Sequence, residues 1–149
     1  GFLMTPWPFF VAAIAPLAGR LSDRYPPGAL GAIGLAMLSA GMGLLAIMPE
    51  HAQLWDIGWR MALCGLGFGF FQSPNLKAFM HSAPPERSGG ASGMVGTSRL
   101  LGQATGAALV ALALGIAGAQ GSLWALAWGA AFSAAGCLAS GLRLVRSRA

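Results

Sequence analysis

Between Leu100 and Leu142 the chain carries no charged residue. One bilayer crossing uses roughly 20 residues, so this run holds two crossings and a turn. A second uncharged stretch extends from Tyr25 to Pro49. Of the 149 residues only 9% are charged and 56% are hydrophobic, with a mean hydropathy of +0.66. A soluble domain usually carries about 25% charged residues to cover its surface, and this chain lacks them. The lengths of the apolar runs argue against the buried core of a large soluble protein.

Five apolar segments follow one another at residues 1–19, 29–48, 57–80, 90–117 and 123–142. Each is long enough to cross a bilayer as a helix, and a helix satisfies its own backbone hydrogen bonds in lipid. Barrel strands would show polar and apolar residues alternating over about ten positions, which these runs do not. The expected fold is therefore a single all-α domain of five transmembrane helices. Short connections lie at residues 20–28, 49–56, 81–89 and 118–122, with a tail at 143–149. The first connection has Arg20 and Arg24, the third Arg87 with Lys77 just before it, and the tail Arg143, Arg146 and Arg148. The second and fourth have no Lys or Arg; only Arg60 lies near that side, within helical pairing reach of Asp56. The positive-inside rule then assigns connections one and three and the C-terminus to the cytoplasm. An Ala-, Gly- and Arg-rich composition with one lysine suggests a GC-rich bacterial genome, hence a bacterial cytoplasmic (inner) membrane.

Several functions have no support in the residues. The net charge is +5, but the basic residues are dispersed at segment ends and form no aromatic-interleaved patch, so nucleic acid is not an expected partner. Cys64 and Cys137 sit inside apolar runs and read as small packing residues, not a disulfide framework. His51 and His81 are isolated, without metal-ligand spacing. The four acids, Asp23, Glu50, Asp56 and Glu86, lie in or beside connections. No catalytic constellation, metal site or cofactor site emerges, and the chain reads as a non-enzyme. Gly65, Gly67 and Gly69 stand in GLGFG, but a dinucleotide fingerprint needs a preceding strand and a third glycine where Phe70 stands. The chain opens Gly1-Phe2 straight into an apolar segment, with no basic leader or cleavage site, so it reads as a fragment and not as a signal peptide.

Two polar features lie within the spans. Ser92, Gly96, Arg99, Gln103 and Gly106 are spaced by four, three, four and three, which places them on one helical face. A charge as deep as Arg99 either faces the bundle interior or a wet cavity, or snorkels to the interface. If interior, it serves a substrate path or a structural partner. Near the cytoplasmic end of the third span, Gln72, Ser73 and Asn75 flank Pro74. Proline frees an upstream carbonyl, so this segment is either a cavity floor or hinge, or the polar dressing of a helix leaving the bilayer. Gly89-xxx-Gly93 and Gly102-xxx-Gly106 fit small-xxx-small helix packing.

The segment GRLSDRYPPG at 19–28 resembles the G-x-L-x-D-R loop of the major facilitator superfamily, with Gly19, Leu21, Asp23 and Arg24 matching. Pro26, Pro27 and Gly28 replace its usual glycine and basic continuation, as in the degenerate copy of the loop in the C-terminal half. Glu86-Arg87-Ser88-Gly89-Gly90-Ala91-Ser92-Gly93 with Arg99 and Gly102 resembles the penultimate helix of the multidrug/proton antiporter branch with fourteen spans. Arg60, the glycine series and Pro74-Asn75 are similar to the helix before that one. The resemblance implies the last five spans of such a transporter, most of a C-terminal bundle that rocks against an N-terminal bundle absent from this chain. It also implies secondary active transport, proton-coupled efflux of an amphipathic, drug-like small molecule. Gly19, Asp23 and Arg24 would form a cytoplasmic gate latched onto the other bundle, the aspartate near a helix N-terminus. Gln72, Asn75, Arg99 and Gln103 would be cavity or helix-packing residues. The coupling acids would lie in the absent half. A non-transporting membrane subunit, or an inactive transporter remnant, is the competing expectation.

Overall fold

The computed structural model describes residues 6–49, 51–84 and 88–146. Five helices follow in order: α1 (Pro6–Leu21), α2 (Pro27–Ala46), α3 (Leu54–Ser82), α4 (Ser88–Ala117) and α5 (Gly121–Arg146), with a 3-10 turn at Gly118–Gln120 between the last two. No strand occurs among the described residues, and the fold is all-α. Glu86 and Arg87 of the penultimate-helix resemblance, Arg148 of the basic tail, Glu50 and residues 1–5 of the first expected span lie outside the described residues.

Among the described residues, three stretches are long and apolar enough to cross a membrane: Pro27–Ala46, Ser88–Ala117 and Gly121–Leu142. Helix α1 has 16 residues as described. Helix α3 has 29 residues, about 44 Å at 1.5 Å per residue, well beyond the roughly 30 Å hydrocarbon layer. Its polar residues cluster toward its two ends, with Asp56 and Arg60 at one and the Gln72–Lys77 segment at the other.

Local sequence explains the helix boundaries. Pro26 is the N-cap of α2 in extended backbone, φ −62° and ψ 136°, and Pro27 opens the helix. Proline suits a first helical position because its φ is already helical and the missing N–H has no intrahelical acceptor there. Two of the three residues that break the loop resemblance, Pro26 and Pro27, are thus the start signal of α2. At the far end of α4, Gly118 adopts φ 54°, the left-handed conformation that ends helices and suits glycine. A Cβ on Gly121 would lie 2.6 Å from the Ala113 carbonyl oxygen, so both glycines of the α4–α5 turn are sterically required.

Helix α2 is the centre of the fold, with α3 on one side and α5 on the other; α1 packs on α3. Leu35, Leu38 and Cys64 are buried, with Trp7, Met42, Phe68 and Phe71 against them. The GLGFG segment packs on two sides. A Cβ on Gly67 would lie 2.6 Å from Leu38 N and 2.7 Å from Gly34 O, both in α2. Gly65 and Gly69, four apart on the opposite face, meet Trp7 and Val11 of α1. Polar bonds tie α2 to α5: Ser39 Oγ donates to Ala130 O at 2.9 Å, Cys137 Sγ to Ala32 O at 3.2 Å, and Ser140 Oγ to Gly28 O at 2.9 Å. Such bonds act as glue where no hydrophobic force separates helix from lipid. Helix α4 rests mainly on α5. Among the described residues nothing lies within 4 Å of a Cβ built on Gly89, Gly93, Gly102 or Gly106, so neither glycine pair packs on a described helix.

Candidate functional site

The first connection forms a tight turn after α1. Ser22 Oγ donates to Gly19 O at 2.6 Å, and the Tyr25 amide to Leu21 O at 2.9 Å. This exposes Asp23, whose carboxylate accepts a hydrogen bond from Lys77 Nζ near the end of α3. That bond, then the ammonium charge, holds the Asp23 carboxyl below the usual carboxylate range; His81 contributes less. A recess of about 320 Å³ lined by Ser22, Asp23, Pro74, Lys77 and His81 lies beside the pair. Arg24 is exposed and has no ion-pair partner among the described residues. Gly19 has open space at its Cβ position. The N-cap of α2 carries no side-chain cap bond, so Asp23 does not cap the helix that follows it. Lys77 entered the sequence argument only as a topology marker. Its position just before the third connection puts it on the same side as the first, which permits the pair without specifying it.

A second cluster lies between α3 and α4. Phe71, Gln72, Asn75 and Phe79 of α3 face Met94, Ser98 and Arg99 of α4 across a recess of about 560 Å³. Phe71, Asn75 and Phe79 stand four apart on α3 and Met94 and Ser98 four apart on α4, with Gln72 and Arg99 flanking these faces. Three of the four candidate residues, Gln72, Asn75 and Arg99, therefore meet in one recess. Gln103, the fourth, is exposed one turn further along and does not line this recess. Pro74 is buried and supplies no N–H to the carbonyl four residues earlier. Beside it Asn75 Nδ2 donates to Phe71 O at 2.7 Å. Phe71, Asn75 and Phe79 also line a recess of about 700 Å³ toward Phe132 and Ser140 of α5.

At the opposite end of α3, Arg60 does not use the reach to Asp56. Its Nη1 donates to the Leu44 carbonyl in the last turn of α2 at 2.8 Å, and its guanidinium lies 5.3 Å from the centre of the Trp59 ring. Asp56 Oδ1 instead accepts from Trp59 Nε1 at 3.5 Å. The last carbonyls of a helix have no intrahelical donor and carry its negative dipole end, so a cation is favoured there.

The comparisons with known proteins agree with this architecture. The sequence profile of the Major Facilitator Superfamily matches residues 1–107. The uncharacterized transporter YebQ of Escherichia coli (strain K12) is 49% identical over 148 residues, 99% of this chain and 32% of that protein. The riboflavin transporter RibZ of Clostridioides difficile (strain 630) is 29% identical over 72% of this chain and 24% of its own length. The multidrug resistance protein Stp of Mycobacterium tuberculosis is 32% identical over 74% of this chain and 20% of its own. The chain thus spans about a third of YebQ and less of the others. No solved structure matches. A match over more than half of the chain, on a five-helix membrane fold, makes this chain a member of the Major Facilitator Superfamily.

Proposed function

We propose that the chain forms most of the C-terminal bundle of a secondary active transporter in a bacterial inner membrane, with connection one and the C-terminus cytoplasmic. The transporter exports amphipathic small molecules in exchange for protons. The observation that carries this reading is the convergence of Gln72, Asn75 and Arg99 on the apolar recess between α3 and α4. Polar groups converging in a mostly apolar concavity are the usual form of a small-molecule site. The names of two relatives, for riboflavin and for multidrug resistance, support a substrate of this kind. Asp23 and Asp56 stand at the ends of the helices, so in this reading proton coupling rests on acids in the remaining length of the transporter.

Gly19, Asp23 and Arg24 form the cytoplasmic gate, and Lys77 holds Asp23 in place. Asp23→Asn in the intact transporter should slow proton-driven flux of riboflavin into everted vesicles about tenfold, the scale of a typical coupling energy between sites. Membrane insertion should be unchanged; unchanged flux would remove the gate role. The pH dependence has a defined sign. Asp23 is depressed from its ordinary value of about 4, so its pair with Lys77 is complete above that value and lost only as pH falls through the lowered one. From neutral pH down to about 5 this contact should not titrate. A flux transition in that range that Asp23→Asn abolishes would contradict it.

A further inference from the structure

We infer that the recess between α3 and α4 selects for anionic aromatic molecules, with the Arg99 guanidinium as the counter-charge. This rests on the reading that the recess lies on the substrate path. Arg99 is the one ionisable side chain among the described residues that line it. A guanidinium stays charged and presents five donors. The side-chain hydrogen bonds made from α4 are those of Thr97 and Thr105, each to its own helix, and Arg99 has no ion-pair partner among the described residues. The described acids are engaged elsewhere, Asp23 by Lys77 and Asp56 by Trp59. A cationic guest in this recess would therefore meet an uncompensated positive charge. Arg99 is exposed and free to meet a guest, and a carboxylate or sulfonate would accept two parallel guanidinium bonds from it.

The walls define the rest of the guest. Phe71 and Phe79 stand two turns apart on α3, opposite Met94, which is 66% exposed. Phenyl faces and a thioether suit a flat aromatic body. Gln72 and Ser98 add neutral hydrogen-bonding groups. A volume of about 560 Å³ falls in the range of drug-sized sites.

The test uses the full-length transporter in nanodiscs of zwitterionic lipid. The probes are anilinonaphthalene sulfonate and phenylnaphthylamine, which share a ring system and differ in the sulfonate. Wild type should bind the sulfonate more tightly. Arg99→Gln should weaken the sulfonate about tenfold or more, the scale of one lost charge-assisted bond, and leave the neutral amine unchanged. Arg99→Lys should retain most of the preference. Equal weakening of both probes in Arg99→Gln, or no preference in wild type, overturns the inference. Displacement of the sulfonate by phosphatidylglycerol added to the nanodisc overturns it in favour of a lipid headgroup. Phe79→Ala separates the two levels of the argument. If it leaves both probes unaffected, the recess is not on the substrate path and both readings fall. If it weakens both while Arg99→Gln does not discriminate, only the charge selectivity falls.

Discussion

Helices α3 and α4 have 29 and 30 residues, and both are studded with glycine, yet the glycines do opposite things. In α3, Gly65 and Gly67 sit against backbone atoms of α1 and α2 at distances no Cβ would tolerate, and Gly69 sits against the Ile14 side chain of α1. In α4, a Cβ on Gly89, Gly93, Gly96, Gly102 or Gly106 would meet nothing within 4 Å. The surrounding surface follows the same division: 39% of the most apolar stretch of α2, which α3 covers, is buried, against 6% in α4. The difference shows that small-residue spacing records permission for close approach and does not identify the partner. The α3 series is consumed inside the chain. The α4 face stays open beside the recess that holds Arg99.

The comparison breaks most sharply by adding one methyl group to each helix. Gly67→Ala puts a Cβ 2.6 Å from Leu38 N, so α2 and α3 must separate. Overpacking of this kind costs about 1–3 kcal/mol, read as a lower midpoint in thermal denaturation of the detergent-solubilised transporter. Gly96→Ala should be neutral or gain up to about 1 kcal/mol from helix propensity. If Gly96→Ala instead destabilises as much as Gly67→Ala, the rest of the transporter touches α4 at that point, and the contrast between the helices is a property of this chain alone.

The two helices also differ at their ends. Helix α3 is tied at one end by Arg60 to the Leu44 carbonyl and at the other by Lys77 to Asp23; no such tie holds α4 among its described side-chain bonds. Arg60→Met removes a charged donor from a half-buried carbonyl, a loss of about 1.5–3 kcal/mol. Arg60→Lys should recover part of it, because one ammonium can reach a carbonyl but cannot also lie flat on Trp59. Equal denaturation midpoints for Arg60→Met and wild type would mean that the guanidinium contact carries no stability.

The helical class was legible in the charge-free runs, because a bilayer imposes length and apolarity on every segment. The α2 start was legible in Pro26-Pro27 and the α4 end in Gly118, since both obey local backbone rules. Convergence of Gln72, Asn75 and Arg99 was legible only in part. Helical spacing put Arg99 and Gln103 on one stripe, but where α3 leaves α4 decided that Arg99 lines the recess and Gln103 does not. The Asp23–Lys77 pair and the α2–α5 bonds join residues far apart in the chain, so they depend on a topology that no local pattern encodes. Ser39, Cys137 and Ser140 gave no signal, because serine and cysteine in an apolar helix bond equally well to their own helix, as Ser133 does to Gly129 O at 2.8 Å.

The smallest expected effect concerns those same bonds, which distinguish the α2–α5 interface from the α4–α5 one. Ser39→Ala and Ser140→Ala each remove one interhelical hydrogen bond without adding bulk, and the gain in helix propensity that any Ser→Ala change brings is read from the Ser133→Ala control. Bonds of this type in membrane bundles average about 0.6 kcal/mol, since the released carbonyl keeps its own helical donor. Their acceptors, Ala130 O on α5 and Gly28 O on α2, are well separated. The Ser39 and Gly28 positions are eleven residues apart along α2, about 16 Å. At that distance the two losses should add within about 0.5 kcal/mol, giving about 1 kcal/mol for the double variant in thermal denaturation. A double variant no worse than either single one would mean that α2 and α5 move apart as a rigid pair once one bond is cut. The Ser133→Ala control, whose bond stays within α5, should show only that propensity gain and so confirm that the losses come from the interface.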